Sequence, residues 1–489
     1  MGDHNLKQKM LSGALWQSLE RFGLQGFSFV LQLVLARLLL PDDFGIVVLL
    51  DIFIQLAWCF VDSGFGVSMI QCREAEEKDF SGIYWISQGI AFLLYAMLFL
   101  AAPFIAGFYQ LPQLAGMLRI AALSLFFIGH TSVCTAIINR KLRFRKLFFI
   151  GFPATVLGGV LGVVLALLGL GAWSLVWMQL VTSILRFVFA FAQVPWIPQF
   201  QFNKPLTIQM FRFGCNLLLI NIIGVICDNL PSFVIGKLFS PSQLGYYSKS
   251  RKIPFFFVNG VKWSVGGTIF PALSAQQNDR IVQRKIVCNG IIFSSFLLMP
   301  LLAFLAGAGN NIILILLGHN WMPTVPYMQI AIAGFLFWPL HAVNREVLIA
   351  NGCGKFLLRL ELLNKLFFIA CFAIGILGGG SGILWGMALS SLLTFVIYSQ
   401  GSRRILNYGA LQQVKDVARI VGCASLAGIV VWLEERLMVN CVFLLLIQVG
   451  TGIVLYLAAS LLINREQSIA AWRILERVRN GLRTRSLFA

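Results

Sequence analysis

The side chains here that could do chemistry are mostly basic, and they sit inside apolar stretches. Arg21, Lys249, Arg251, Lys252, Lys262 and Arg345 all interrupt long hydrophobic runs. A charged side chain at a bilayer centre costs about 2.5–3.5 kcal/mol on insertion scales, so such groups snorkel outward or line a wet interior. Helical spacing tells which stretches line it. Gln17, Arg21, Gln25, Ser28 and Gln32 step by three or four residues and form one polar face. Asp51, Gln55 and Asp62 share a side of the next stretch, and Asn221, Gly224 and Asp228 a side of a later one. Lys249, Lys252, Asn259 and Lys262 recur at near-helical spacing with Arg251 adjacent, and His341, Asn344 and Arg345 cluster further on. These faces predict a watery hollow in which cations outnumber acids. Positive potential in a low-dielectric cleft attracts anions, and arginine grips phosphate in a bidentate fork. The expected substrate is therefore anionic, carrying phosphate or carboxylate.

Asp51, Asp62 and Asp228 are the candidates for coupling to an ion, Na+ or H+, with Asp62 and Asp228 put forward, and salt bridges to the cavity cations are the competing role. Asp228 is the strongest of them: Asn229 and Pro231 follow it, and a helix broken there would free carbonyl oxygens. Structural roles compete at several positions. Arg21 could pair with Glu20, Arg345 with Glu346, and Arg37 and Lys237 could simply end their helices. His341 reads as a core histidine. The ten cysteines stand singly, without a CxxC or a Cys/His cluster. A P-loop, a nucleophile triad and an Asp-x-Asp pair are all missing from the sequence. The expectation is a chain with no catalytic residue, no metal and no cofactor. A membrane glycosyltransferase or polymerase would need an acid pair, and the longest outer loop, Ala308–Pro326, offers Asn310, His319 and Trp321 instead.

The elements that must position these side chains follow from hydropathy. Of 489 residues, 58% are hydrophobic and 12% charged, where a soluble domain carries about 25% charged residues. Mean hydropathy is +0.84. Apolar runs of about 20 residues, enough to cross roughly 30 Å of hydrocarbon, recur along the chain. Only helices and closed barrels satisfy their backbones in lipid, and runs such as Ala91–Pro103 and Val156–Leu170 lack the alternation of a barrel strand. The predicted fold is an all-α polytopic membrane protein of fourteen spans. They run over 14–40, 44–70, 81–107, 115–139, 147–169, 171–193, 210–238, 243–273, 286–307, 325–350, 360–378, 381–403, 414–434 and 440–463. Loops on one side hold lysine and arginine from Lys7 to Arg485, while the opposite loops hold Arg436 alone. The positive-inside rule then predicts both termini in the cytoplasm. The net charge of +19 reads as cytoplasmic loops facing anionic lipid, not as a nucleic-acid surface. The polar start, Met1–Met10, predicts no cleavable signal peptide.

An internal repeat organises the spans. Ala36–Gly45 parallels Gly236–Gly245, matching Arg37 with Lys237, Pro41 with Pro241 and Gly45 with Gly245. Met117–Gly171 echoes Tyr327–Ser381 in layout: a span, a basic loop, a span and a glycine-rich turn. Parallel repeats recur in transporters, with the substrate site between the halves. The expected organisation is an N-lobe over 1–200, a C-lobe over 201–405, and a central cavity between these two six-helix lobes. Two added helices over 406–463 and a tail over 464–489 follow. In that tail Ala471, Leu475, Val478 and Leu482 share one helical face and Arg473 and Arg477 another, the pattern of a basic helix lying on the membrane.

Several short motifs, in this order, resemble one superfamily. They are Gly13-Ala14-Leu15-Trp16, Leu35-Ala36-Arg37-Leu38-Leu39 with Pro41-x-x-Phe44-Gly45, Asp62-Ser63-Gly64-Phe65-Gly66, and Leu244-Gly245-Tyr246-Tyr247-Ser248-Lys249. The chain is similar over nearly its whole length to the multidrug/oligosaccharidyl-lipid/polysaccharide exporters. Within them it looks like the polysaccharide transport branch, the Wzx-type flippases. The resemblance implies a V-shaped pair of lobes working by alternating access in the bacterial inner membrane. It implies a lipid-linked oligosaccharide on undecaprenyl pyrophosphate as substrate, for exopolysaccharide, capsule or O-antigen synthesis. Membrane lipids, a polysaccharide polymerase and chain-length machinery are the implied partners, with no nucleic acid. A drug exporter of the same superfamily is the alternative, although such a cavity would be acidic or aromatic. Energy would come from an ion gradient or from polymerisation downstream.

Overall fold

A computed structural model of the chain describes residues 23–62, 64–72, 79–200, 204–437 and 442–463, with Trp16, Arg21 and Glu76 besides. The predicted tail helix over 464–489 lies outside the described residues, as do Glu20 and the basic residues Lys7, Lys9, Arg73 and Lys78. Among the described residues the secondary structure is entirely helical, as runs this apolar require in lipid. In chain order the helices are α1 (Gly23–Leu38), α2 (Pro41–Asp62), α3 (Phe65–Gln71), α4 (Phe80–Tyr109), α5 (Gln113–Ala122), α6 (Leu125–Arg140), α7 (Arg145–Leu167), α8 (Ala172–Gln193) and α9 (Lys204–Leu238). There follow α10 (Pro241–Ala275), α11 (Arg280–Gly307), α12 (Gly309–Leu316), α13 (Thr324–Phe335), α14 (Trp338–Ala350), α15 (Gly354–Ile376), α16 (Gly379–Leu406), α17 (Ala410–Leu437) and α18 (Val442–Ile463).

Helices occupy every predicted span, yet among the described residues ten are long and apolar enough to cross a membrane by composition and length. The difference has local causes. Helix α10 carries Lys249, Arg251, Lys252 and Lys262, and α15 carries Lys355, Arg359, Glu361 and Lys365, so both are too charged. Predicted span 325–350 is split into α13 and α14, each too short to cross alone, while two of the ten counted crossings, Pro41–Gln71 and Gln113–Arg140, are also built from two helices. Gly64 takes a left-handed conformation (φ 66) between α2 and α3. Between α5 and α6 the Ser124 hydroxyl donates to the Ala121 carbonyl at 2.6 Å, a local bond that competes with the helix. Pro339 sits in the first turn of α14, where its missing N–H is tolerated only at a helix start.

Two other expectations are corrected. Helix α9 runs unbroken through Pro231, so the chain is not opened beside Asp228. The segment 308–326 is no loose loop: it forms α12 and a 3-10 turn over His319–Trp321, and Trp321 is fully buried.

The chain divides into two compact units, Met1–Gly245 and Tyr246–Ala489. In the first, α2 is central and packs against α4, α5, α6, α8 and α9, with Leu49 and Leu50 wholly buried. In the second, α16 lies against α13, α14 and α15, while α17 lies against α11 and α18. The run α5–α6–α7–α8 and the run α13–α14–α15–α16 share one layout, two short helices followed by two long ones.

Within the first unit the two copies of the Pro-Gly motif touch. Pro41 begins α2 and Pro241 begins α10, where the fixed proline φ suits the first helical position. A Cβ on Gly45 would lie 1.9 Å from the Pro241 carbonyl oxygen, and one on Gly245 2.2 Å from that of Pro41. Each glycine therefore admits the other copy's backbone. The Ser242 hydroxyl donates to Asp42 Oδ1 at 2.7 Å across the same crossing. Asp43 serves two helix starts: it accepts from Leu40 N at 3.0 Å and, through Oδ1, from Ala172 N at the head of α8 at 2.9 Å.

Candidate functional site

A cavity of about 690 Å³ lies inside the first unit. Six helices line it, α3 through Gly66, Val67 and Ile70. Helix α1 contributes Ser28 and Gln32, α2 contributes Gln55 and Asp62, and α6 contributes Thr131, Ser132, Thr135 and Asn139. Thr155 comes from α7, and Gln179, Thr182, Ser183 and Arg186 come from α8. Leu31, Ile54, Trp58, Phe127 and Ile128 supply apolar wall between them. A few convergent polar groups on an apolar wall are what a ligand site needs.

The polar groups are tied to one another. Ser132 Oγ donates to Asp62 Oδ1 at 2.9 Å. Gln179 Nε2 donates to Asp51 Oδ1 at 3.0 Å, and Asn229 Nδ2 to Gln55 Oε1 at 3.2 Å. Arg186 Nη2 reaches Thr155 Oγ1 at 3.4 Å. The close approach of α7 to α8 depends on Gly158, where a Cβ would fall 2.0 Å from Thr182 Oγ1. The lining thus holds one arginine and one carboxylate among hydroxyls and amides. Such a set can hydrogen-bond a hydroxyl-rich ligand and place one positive charge beside it.

The predicted site residues distribute as follows. Asp62 lines the cavity, and so do Ser28 and Gln32 from the first polar stripe. Arg21 and Asp228 are exposed and lie outside its lining. In the second unit Lys249 is buried, with its ammonium 5.9 Å from the centre of the Trp321 ring, within cation–π range. Tyr246 packs edge-on to the same ring, and its hydroxyl donates to the Asn320 carbonyl at 3.2 Å. Arg251 donates to the Tyr247 hydroxyl at 2.8 Å. Lys252 and Lys262 are exposed. Arg345 pairs with Glu361 on α15 at 3.2 Å, and not with its neighbour Glu346. Asn344, read as part of the same polar face, is wholly buried and bonds Gln413 and Ser402.

Sequence reading missed Arg186 and the whole polar face of α8. The signal was there: Gln179, Thr182, Ser183 and Arg186 recur at the spacing of one helical face. The α6 series Thr131, Thr135 and Asn139 was legible in the same way.

Comparison with known proteins gives a consistent picture. The family model described as "Polysaccharide biosynthesis protein" matches residues 34–326. The succinoglycan biosynthesis transport protein ExoT of Rhizobium meliloti is 26% identical over 313 residues, 64% of this chain and 63% of ExoT. This chain therefore spans somewhat under two thirds of that relative's length. The lipopolysaccharide biosynthesis protein WzxC of Escherichia coli is 23% identical over 396 residues, 80% of each chain. Among solved structures, the lipid II flippase MurJ in an inward closed conformation superposes with a TM-score of 0.73 at 14% identity, covering 92% of this chain and 99% of MurJ. An inward-facing multidrug transporter of the MATE family gives a TM-score of 0.60 at 12% identity, covering 77% and 94%. At such identities these two likenesses concern the fold alone.

Proposed function

This chain belongs to the polysaccharide biosynthesis protein family, as a multi-pass membrane transport protein with the MurJ and MATE fold and not as a member of an enzyme family, and from that premise we propose that it moves lipid-linked oligosaccharide units across the bacterial inner membrane. The substrate in this reading is an oligosaccharide on undecaprenyl pyrophosphate, destined for exopolysaccharide, capsule or O-antigen. The single observation that carries it is the family match over residues 34–326. The chemistry of the chain is compatible. Hydroxyls and amides around the first unit's cavity suit a sugar, and in this reading the cations Arg21, Lys249, Arg251, Lys252, Lys262 and Arg345 attract the pyrophosphate. The lobes would be residues 1–200 and 201–405, followed by two further helices over 406–463, with fourteen spans in all and both termini cytoplasmic. Alternating access between them would carry the sugar head through while the polyprenyl tail stays in lipid. Asp62 and Asp228 are the proposed sites of ion coupling. Polymerase and chain-length proteins are the proposed partners.

A deletion strain tests this directly. Lipid-linked oligosaccharide is expected to build up in the cytoplasmic leaflet, with loss of the surface polymer, and the intact gene is expected to restore both. A deletion strain that exports its repeat units at the normal rate would sink the reading.

A further inference from the structure

We propose that the first unit carries a second, separate site, for the phosphate of an anionic glycerophospholipid, at the junction of the α6–α7 loop and the segment after α8. A cavity of about 530 Å³ lies there. Lys141, Arg143 and Lys146 form one wall, and Gln193, Trp196 and Gln199 the other. No acid lines it. Phosphate is the group that three converging cations recognise.

Lys141 and Arg143 are exposed and Lys146 is half-buried, and the backbone that carries them is held in place. The loop is a tight C-terminal motif on α6. Arg143 N bonds the Ile138 carbonyl at 3.1 Å and Leu142 N the Asn139 carbonyl at 3.1 Å, with Leu142 left-handed at φ 53. Those carbonyls are thus satisfied by backbone, so the cations are not needed to cap the helix. The opposite wall is equally fixed. Trp196 is buried against Phe65, Phe80, Ile137 and Met210. Gln199 N donates to Ser81 Oγ at 3.0 Å, and the Gln199 carbonyl accepts from Trp85 Nε1 at 3.2 Å. Lys146 donates one of its three N–H groups to the Gln193 carbonyl, which leaves two to aim into the pocket.

Two features select a bilayer lipid as the occupant. Ile197, which lines the cavity, is 67% exposed, and Phe200, three residues on and stacked on Trp85, is 78% exposed, apolar surface fit for acyl chains. The site also lies on another side of α6 from the larger cavity. Thr135 and Asn139 turn toward the larger cavity, whereas Ile138 and Lys141 on the other side of α6 line this one. A lipid held here would pin the α6–α7 loop to the basic, cytoplasmic surface.

The test uses the full-length protein in mild detergent, read by native mass spectrometry against phosphatidylglycerol, cardiolipin and phosphatidylcholine. One anionic lipid is expected to stay bound, with phosphatidylcholine binding at least tenfold more weakly. The double variant Lys141→Gln/Arg143→Gln is expected to lose at least tenfold in affinity while its thermal unfolding is unchanged. Arg280→Gln/Lys285→Gln, which removes the same charge from exposed positions in the second unit, is expected to bind as the parent does. Equal losses in both variants, or none in the first, would overturn the proposal. Inorganic pyrophosphate and a polyprenyl pyrophosphate serve as competitors. Displacement by pyrophosphate at concentrations matching the lipid's would mark a free-anion site. Displacement by polyprenyl pyrophosphate well below the phosphatidylglycerol concentration would mark a substrate site. Either result overturns the assignment to a bilayer lipid.

Discussion

At the scale of single residues, Asp62 and Arg186 are the charged groups of the first unit's cavity. Asp62 came out of the sequence because it ends a stripe on α2, while Arg186 stood in an apolar run whose polar face was not read. Asp62→Asn and Arg186→Ala are each expected to lower transport by about tenfold or more, equivalent to ~1.4 kcal/mol, at normal membrane abundance. Ser132→Ala removes only one hydrogen bond to a carboxylate that stays in place, so it is expected to cost less than either. Flux of lipid-linked oligosaccharide into inverted vesicles measures all three, and full activity in Arg186→Ala would remove that arginine from the site. Asn344 teaches the opposite lesson. Its spacing beside His341 and Arg345 suggested a face open to water, yet it is buried and bonded to Gln413 and Ser402 on two other helices. Periodicity finds polar faces, and it cannot say whether water or another helix satisfies them.

Among the elements, the crossing of α2 and α10 stands out because the repeat meets itself there. Gly45 and Gly245 each leave room for the carbonyl of the other copy's proline, and Asp42 accepts from Ser242. Alternating access requires closures that form and release, and helix starts held by small residues and one exposed hydrogen bond can part at low cost. The pair Asp42→Cys with Ser242→Cys, in a variant stripped of native cysteines, is expected to cross-link under mild oxidation and to stop transport. Reductant is expected to restore it. Unimpaired transport in the fully cross-linked protein would mean that this crossing never opens. The repeat itself was visible in the sequence as Pro41/Pro241 and Gly45/Gly245. The contact between its copies was not, since alignment says which residues correspond and nothing about which touch.

For the molecule as a whole, the distribution of charge makes the testable statement. The sequence predicts Arg436 alone opposite the basic loops, so Arg436→Cys is expected to react with a membrane-impermeant thiol reagent from outside intact cells. Arg280→Cys, exposed between α10 and α11, is expected to react only after permeabilisation. Both substitutions again require removal of the native cysteines. The reverse labelling pattern would invert the orientation and with it the direction of transport. Fourteen spans were expected, and among the described residues ten segments meet the length and hydropathy of a crossing. The shortfall lies in helices such as α10 and α15, whose cations and acids lower their hydropathy.

Hydropathy is a property of a segment taken alone, so the sequence by itself determined that the chain is helical and has segments that cross a membrane. Its ordered motifs were also enough to reach the family. The pairing of distant helices depends on how each is rotated about its axis, and that is decided only when all of them pack together. Hence Ser132 on Asp62, Ala172 on Asp43, the breaks within three spans and the basic pocket beside α6 belong to the tertiary structure.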